Sequence, residues 1–382
     1  MKLAIKGGKK SIAKVFSKYN SIGEEELNAV SEVIKSGVLS KYLGAWHEDF
    51  YGGPKVREFE DQAASFFDVK HAITVNSWTS GLVAAVGAID ISPGDEVIVT
   101  PWTMSASATA ILHWNAIPIF ADIDPKTYNL DPQSIEKNIT SKTKAILVAD
   151  IFGLSADMNK INEIASKYNL KVIEDAAQSF GGSIRGKKVG TFGDVAATSF
   201  YPAKPLGCYG DGGAIFTNDD NLAEECKAIR IHGTKQDKYN SEMIGLNGRL
   251  DSIQAAVLLE KLSIFDDELV MRNEVDFHYR KYINNAQHHP EGYQSAHALF
   301  SIVLGSSIKR DNLIDRLTQN KVPSVIYYKF PIHLMEAFQY LGYRKGSLPI
   351  SENLSHSIVS LPMHPYLTEA DIDFIVNTIQ TK

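Results

Sequence analysis

Between residues 71 and 217 the chain repeats one rhythm, a short apolar run followed by a stretch with helical spacing. Seven runs occur, at His71–Val75, Glu96–Val99, Ile117–Ala121, Ala145–Val148, Lys171–Glu174, Ala196–Phe200 and Gly213–Phe216. Helical patterns at Thr79–Ala88, Ser105–Trp114, Met158–Lys167 and Leu222–Arg230 alternate with them. Strands this apolar are buried on both faces, and the alternating helices are what cover them. The pattern therefore predicts an α/β fold with a seven-stranded, mostly parallel sheet. Pro93-Gly94-Asp95 and Asp122 to Pro125 supply turns at the edges of the units.

After Arg249 the rhythm changes. Ile253, Ala256, Val257, Leu259, Leu262 and Phe265 fall near helical spacing, which predicts one long helix from Asp251 to about Tyr282. A strand at Ala298–Leu304 and helices near Arg310–Lys321 and Glu369–Ile379 follow. With 382 residues the chain exceeds what one compact core usually holds. The expected division is a large α/β domain over residues 20–250, then the linking helix and a smaller C-terminal α+β domain over 251–382.

Thirty-nine Lys and Arg against forty-five Asp and Glu give a formal net charge of -6, which offers no basic footprint for nucleic acid. The two cysteines, Cys208 and Cys226, have no His or Cys neighbours at metal spacing, so no metal site is expected and a reducing compartment is. The lysine-rich N-terminus lacks the apolar run of a signal peptide, and no segment approaches a membrane span. A cytoplasmic protein with no membrane partner is the expectation.

Three segments carry a more specific signal: Val172-Ile173-Glu174-Asp175-Ala176-Ala177-Gln178, then Thr198-Ser199-Phe200-Tyr201-Pro202-Ala203-Lys204-Pro205-Leu206-Gly207, then Gly210-Asp211-Gly212-Gly213. Together they resemble the DegT/DnrJ/EryC1/StrS family, the aminotransferases of nucleotide-linked sugars that use pyridoxal 5'-phosphate (PLP). The resemblance runs from about Gly52 to Leu361-Pro362-Met363-His364-Pro365. It implies PLP fold type I, like aspartate aminotransferase. It also implies transfer of an amino group from L-glutamate to a 3-keto or 4-keto sugar on a nucleotide, for amino-sugar supply to glycans such as lipopolysaccharide O-antigen.

PLP chemistry needs a lysine that holds the cofactor as a Schiff base and then shuttles a proton. A lone loop lysine is ordinarily solvated, but the motif around Lys204 selects it. The pyridine nitrogen acts as part of an electron sink only while protonated, and a carboxylate beside it maintains that state. Asp175, ending an apolar run, matches that partner, and Gln178 matches the family position at the ring oxygen. Asn76-Ser77-Trp78-Thr79-Ser80-Gly81 opens a helix directly after the first strand, where backbone N–H groups suit a phosphate. The resemblance makes Thr79 and Ser80 phosphate donors, with Trp78 standing where the family usually has glycine. Ser199 matches a further phosphate hydroxyl. Asn247 matches an asparagine that reaches the phosphate of the neighbouring subunit, which implies a homodimer with shared active sites. Met104 holds the place of the ring that usually covers the cofactor, with Trp102 the other candidate for that surface.

For the substrate, Arg249 matches an arginine near a carboxylate, a task that suits a planar bidentate donor. Tyr328 keeps a family tyrosine within Tyr327-Tyr328-Lys329-Phe330-Pro331, whereas Lys329 departs from the pattern. Lys329 and Arg249 together would form a cationic pocket for a sugar uronate; a neutral deoxysugar is the competing expectation. Trp46 and His47 precede the first strand, where relatives bind sugar or nucleotide. A keto-deoxysugar dehydratase of this fold carries histidine in place of the lysine, so Lys204 argues against it. The set Asp175, Gln178, Ser199 and Lys204 argues against a non-catalytic regulatory member.

Overall fold

The computed structural model describes residues 22–42, 47, 49–237 and 239–381, together with Phe16 and Tyr19. All seven expected strands form and join one sheet. They are β1 (His71–Val75), β2 (Glu96–Val99), β3 (Ile117–Phe120), β4 (Thr143–Ala149) and β5 (Lys171–Asp175), followed after the two-residue strands β6 (Ser183–Ile184) and β7 (Lys187–Lys188) by β8 (Val195–Ser199) and β9 (Gly213–Thr217). The order across the sheet is β1-β9-β8-β5-β4-β2-β3. Four pairings are parallel, and β9 alone runs antiparallel to its neighbours β8 and β1. The carboxyl ends of the other six strands therefore share one edge, where open α/β sheets place their ligands.

Helices α1 (Glu24–Ser36), α2 (Pro54–Phe67), α3 (Trp78–Ala88), α4 (Ala106–Leu112), α5 (Pro132–Lys137), α6 (Met158–Tyr168) and α7 (Asp220–Arg230) belong to this half of the chain. Leu82 to Val86 of α3 are all buried, because that helix is enclosed by the sheet and by α4 and α7. A helix apolar on every side can only be stable inside. Helix α2, which the apolar runs did not announce, opens on Pro54 and buries Val56, Phe59, Ala63 and Phe67 along one stripe.

The single helix expected from Asp251 to Tyr282 is two: α8 (Ser252–Ser263) and α9 (Phe265–Arg280), separated at Ile264. Phe265 explains the break. Its fully buried ring stands edge-on to Phe180 at 5.1 Å and to Phe66 at 5.9 Å. Burying that ring is worth about 1.5–3 kcal/mol, more than one lost helical turn bond. Gly181, at φ +91, makes the approach possible, since a Cβ there would lie 2.6 Å from the Phe265 ring. Helix α8 packs with α2 on the sheet through Ala255, Leu258 and Leu259.

Beyond α9, β10 (Tyr293–Gln294) pairs with β6, and β11 (Phe300–Val303) pairs antiparallel with β12 (Ile358–Leu361). Helices α10 (Ser307–Gln319), α11 (Pro349–Ser357) and α12 (Glu369–Gln380) complete this part. It has its own apolar cluster, which includes Tyr279, Phe300, Leu317, Val359 and Ile375. Among the described residues no helix is long and apolar enough to cross a membrane.

Candidate active site

Two carboxylates end up close together because β4 and β5 are neighbours in the sheet. Asp175 is the last residue of β5, and Asp150 follows the end of β4. The Asp150 N–H donates to the Asp175 carbonyl at 3.1 Å. The Asp175 side chain, 3% exposed, accepts from Ser107 Oγ at 2.8 Å and from the Ala177 N–H at 3.2 Å. Burial pushes its pKa up to about 6, against the pull of those two donors, the charge of Lys204 and the indole of Trp78.

Lys204 comes from the loop after β8, which folds back on itself. The Lys204 N–H donates to the Tyr201 carbonyl, and the Cys208 N–H to the Phe200 carbonyl, each at 2.8 Å. The amine is held below the ordinary lysine range by burial, and Asp175 offsets part of that shift. Lys204 and Asp175 line one cleft with Trp78, Thr103, Met104, Asp150, Ala177 and Gln178. It is narrow, with about 10 Å³ of free volume.

Gln178 reaches the cleft with its amide fixed at both ends. Its Oε1 accepts from the Phe152 N–H at 2.7 Å, and its Nε2 donates to the Tyr328 hydroxyl at 2.8 Å. Tyr328 is buried, and burial pushes its hydroxyl pKa up. Trp102 does not line this cleft: it is fully buried and stands edge-on to Phe152, Tyr128 and Tyr328 at 5.5–6.0 Å. Met104 is at the cleft and 48% exposed.

The start of α3 adjoins the same cleft. Gly213 of β9 lets the sheet approach it, for a Cβ there would sit 2.8 Å from the Trp78 nitrogen. Ser77 caps the helix by accepting from the Ser80 N–H at 3.1 Å, and the Ser80 hydroxyl donates to Asn76 Oδ1 at 2.7 Å. The Ser80 side chain is thus engaged within the loop. Ser199 is buried, pairs with Gly213 across β8 and β9, and accepts from the Tyr201 N–H at 3.3 Å.

Other expected residues line cavities other than the one around Lys204. Thr79 and Ser80 line a cavity of about 290 Å³ with Asn247. Asn247 and Arg249 line a larger cleft, about 710 Å³, with Lys41, Tyr42 and Asn76. The Asn247 carbonyl accepts from Asn76 Nδ2 of the same chain at 2.8 Å. Lys329 is exposed, with its ammonium over the Phe330 ring at 5.5 Å. It does not line the cleft that holds Arg249, so one chain does not assemble the expected cationic pair there. His47 is half exposed and accepts from the Asp49 N–H at 3.1 Å; Trp46 lies outside the described residues.

Asp150 is the residue that sequence reasoning missed. It is buried, accepts from the Ala156 N–H at 2.9 Å and Ser179 Oγ at 3.1 Å, and burial and the nearby Glu174 raise its pKa well above the carboxylate range. The signal was available, because an acid ends the apolar run 145–148 just as Asp175 ends the run 171–174.

The donor set suits an aromatic cofactor with a phosphate. A buried carboxylate can face a protonated ring nitrogen, a buried amine can bond a carbonyl carbon, and a helix start can take an anion. The chain is 41% identical over 333 residues to the UDP-2-acetamido-2-deoxy-3-oxo-D-glucuronate aminotransferase of Pseudomonas aeruginosa, covering 86% of this chain and 91% of that one. It is 39% identical to the dTDP-3-amino-3,6-dideoxy-alpha-D-galactopyranose transaminase of Aneurinibacillus thermoaerophilus, covering 93% and 94%. A crystal structure of a DegT DnrJ EryC1 StrS aminotransferase from Brucella abortus matches with a TM-score of 0.87 at 40% identity, over 94% of this chain and 95% of that one. The model of the DegT/DnrJ/EryC1/StrS aminotransferase family matches residues 20–380, and the chain belongs to that family.

Proposed function

We propose that this protein uses PLP to move an amino group from L-glutamate to the ketone at carbon 3 of a nucleotide-linked sugar. The observation that carries the reading is that the partly buried Lys204 amine and the buried Asp175 carboxylate share one cleft beside the start of α3. The names of both relatives place the oxo or amino group at carbon 3, one on a uronate and one on a dideoxy sugar.

When bound, PLP supplies a protonated ring that takes up the electron pair left as a carbon loses its proton. Asp175 would hold the ring nitrogen's proton, itself fixed by Ser107 and the Ala177 N–H. Backbone N–H groups at the start of α3, with the Thr79 hydroxyl and Ser199 nearby, would take the phosphate. Burial leaves more of the Lys204 amine neutral at a given pH, as a nucleophile and base requires. Lys204 Nζ removes the α-proton of glutamate in the first half of the reaction and delivers a proton to carbon 3 of the sugar at the end of the second.

Asn247 and Arg249 fit this scheme as residues serving the partner subunit of a homodimer, since they open onto a different cleft of their own chain. The test is a panel of 3-keto and 4-keto nucleotide sugars, uronate and neutral, incubated with glutamate and purified protein and read by mass spectrometry. An amine on 3-keto substrates is expected. Amination of 4-keto sugars alone would displace the carbon assignment, and no amino sugar from any member would displace the activity.

A further inference from the structure

Two positions where this sequence departs from its family's pattern meet in one cleft. Trp78 stands where the resemblance implies a glycine and Met104 where it implies an aromatic ring, and both side chains line the wall around Lys204 and Asp175. Met104 is half exposed and Trp102 is locked in packing, so neither offers a buried ring face there. Trp78 is differently placed. Its indole Nε1 is buried and has no hydrogen-bond partner among the described residues. It lies close enough to Asp175 to favour the ionised carboxylate. Trp78 is also the first residue of α3, held against the sheet where Gly213 lacks a side chain.

We propose that the aromatic surface flanking the cofactor has moved from position 104 to Trp78, whose ring lies along the cofactor ring while its N–H faces the Asp175 carboxylate. The inference rests on the PLP reading of the site. A single exchange then accounts for both departures: the ring absent at 104 is supplied by Trp78, and a flexible thioether suffices at 104.

The test measures the dissociation constant of PLP for protein stripped of cofactor, by absorbance titration and equilibrium dialysis, in wild type, Trp78→Ala, Trp78→Phe and Met104→Ala. Trp78→Ala should weaken binding about tenfold, while Trp78→Phe, which keeps a ring, and Met104→Ala should stay within about threefold. Urea midpoints of the stripped proteins show whether a loss reflects the contact or the fold, and the Phe variant decides the matter if the Ala variant is unstable. Equal or tighter binding by Trp78→Ala would make the indole an obstacle and overturn the proposal. So would a tenfold loss in Trp78→Phe or Met104→Ala. A wild-type protein that fails to bind PLP at all would instead refute the cofactor reading.

Discussion

Asp175→Asn is the substitution in which stability and function should part most clearly. In the folded chain burial raises the Asp175 pKa from 3.8 to about 6. The folded state therefore holds this proton more tightly than the unfolded state does. Below pH 3.8 both states are protonated and the group is neutral in its effect. As the pH climbs through the window from 3.8 to about 6 the folded chain is progressively penalised, and above it the penalty is complete. At about 1.4 kcal/mol per pKa unit, a shift of roughly two units is a cost of about 3 kcal/mol at pH 8 and about half that at pH 5. Asparagine carries no such penalty. It keeps one acceptor for the Ala177 N–H, and the Ser107 hydroxyl can rotate to accept from its amide, so about 1 kcal/mol should be returned through weaker hydrogen bonds. Net, the variant stripped of cofactor should be more stable than wild type by about 2 kcal/mol at pH 8, shrinking toward zero near pH 5. Urea denaturation at several pH values measures this directly. With PLP and glutamate present the order should invert, because the ring nitrogen loses its partner and turnover falls by at least about a hundredfold. A stability difference that does not change with pH, or one that favours wild type at pH 8, would refute the reasoning about burial. Near-wild-type turnover in Asp175→Asn would refute the role.

Borohydride reduction of the PLP-loaded protein followed by peptide mapping should label Lys204, and Lys204→Ala should lose the label; a label on another lysine removes the assignment. Lys204→Ala chains mixed with Asn247→Ala chains should regain part of the lost activity in heterodimers if each site draws on both subunits, and no complementation would end the shared-site reading. His289 is held near neutrality down to about pH 3 by burial and by Arg280, whose guanidinium lies 3.0 Å away. Its lowered pKa means that the unfolded chain takes up a proton the folded chain refuses, so stability is lost as pH falls from 6.5 toward 3. His289→Gln should flatten that part of the urea-midpoint profile, and an unchanged slope would show that other groups set it.

The sheet was legible because each strand is a local fact. Seven apolar runs bounded by turns are enough to mark seven strands, and the bounds were off by at most two residues at either end. The break at Ile264 was not legible, since helical spacing continues through Phe265. What ends α8 is an aromatic cluster contributed by Phe66 and Phe180, far away in sequence. Helix α2 is written in Val56, Phe59, Ala63 and Phe67 behind Pro54, but it precedes the first strand and so stands outside the repeating rhythm of the sheet. The same division applies to the site. Lys204 and Asp175 could be named from their own segments. That Asp150 stands beside Asp175 follows only from the order of the sheet, which puts β4 next to β5.

That distinction bears on the sugar. A uronate needs a cation at its carboxylate, and the two cations first considered, Arg249 and Lys329, come from segments 80 residues apart in sequence. In one chain Arg249 opens onto the cleft with Lys41, and Lys329 lies exposed over Phe330. If a carboxylate-binding pair exists within a single subunit it is therefore Arg249 with Lys41, both in the cleft of about 710 Å³ that also holds Asn247. A bidentate guanidinium beside a second ammonium is well matched to a carboxylate or a nucleotide phosphate. Since Lys41 already pairs with Asp49 at 3.0 Å, Arg249 carries most of that burden in a site built from one subunit.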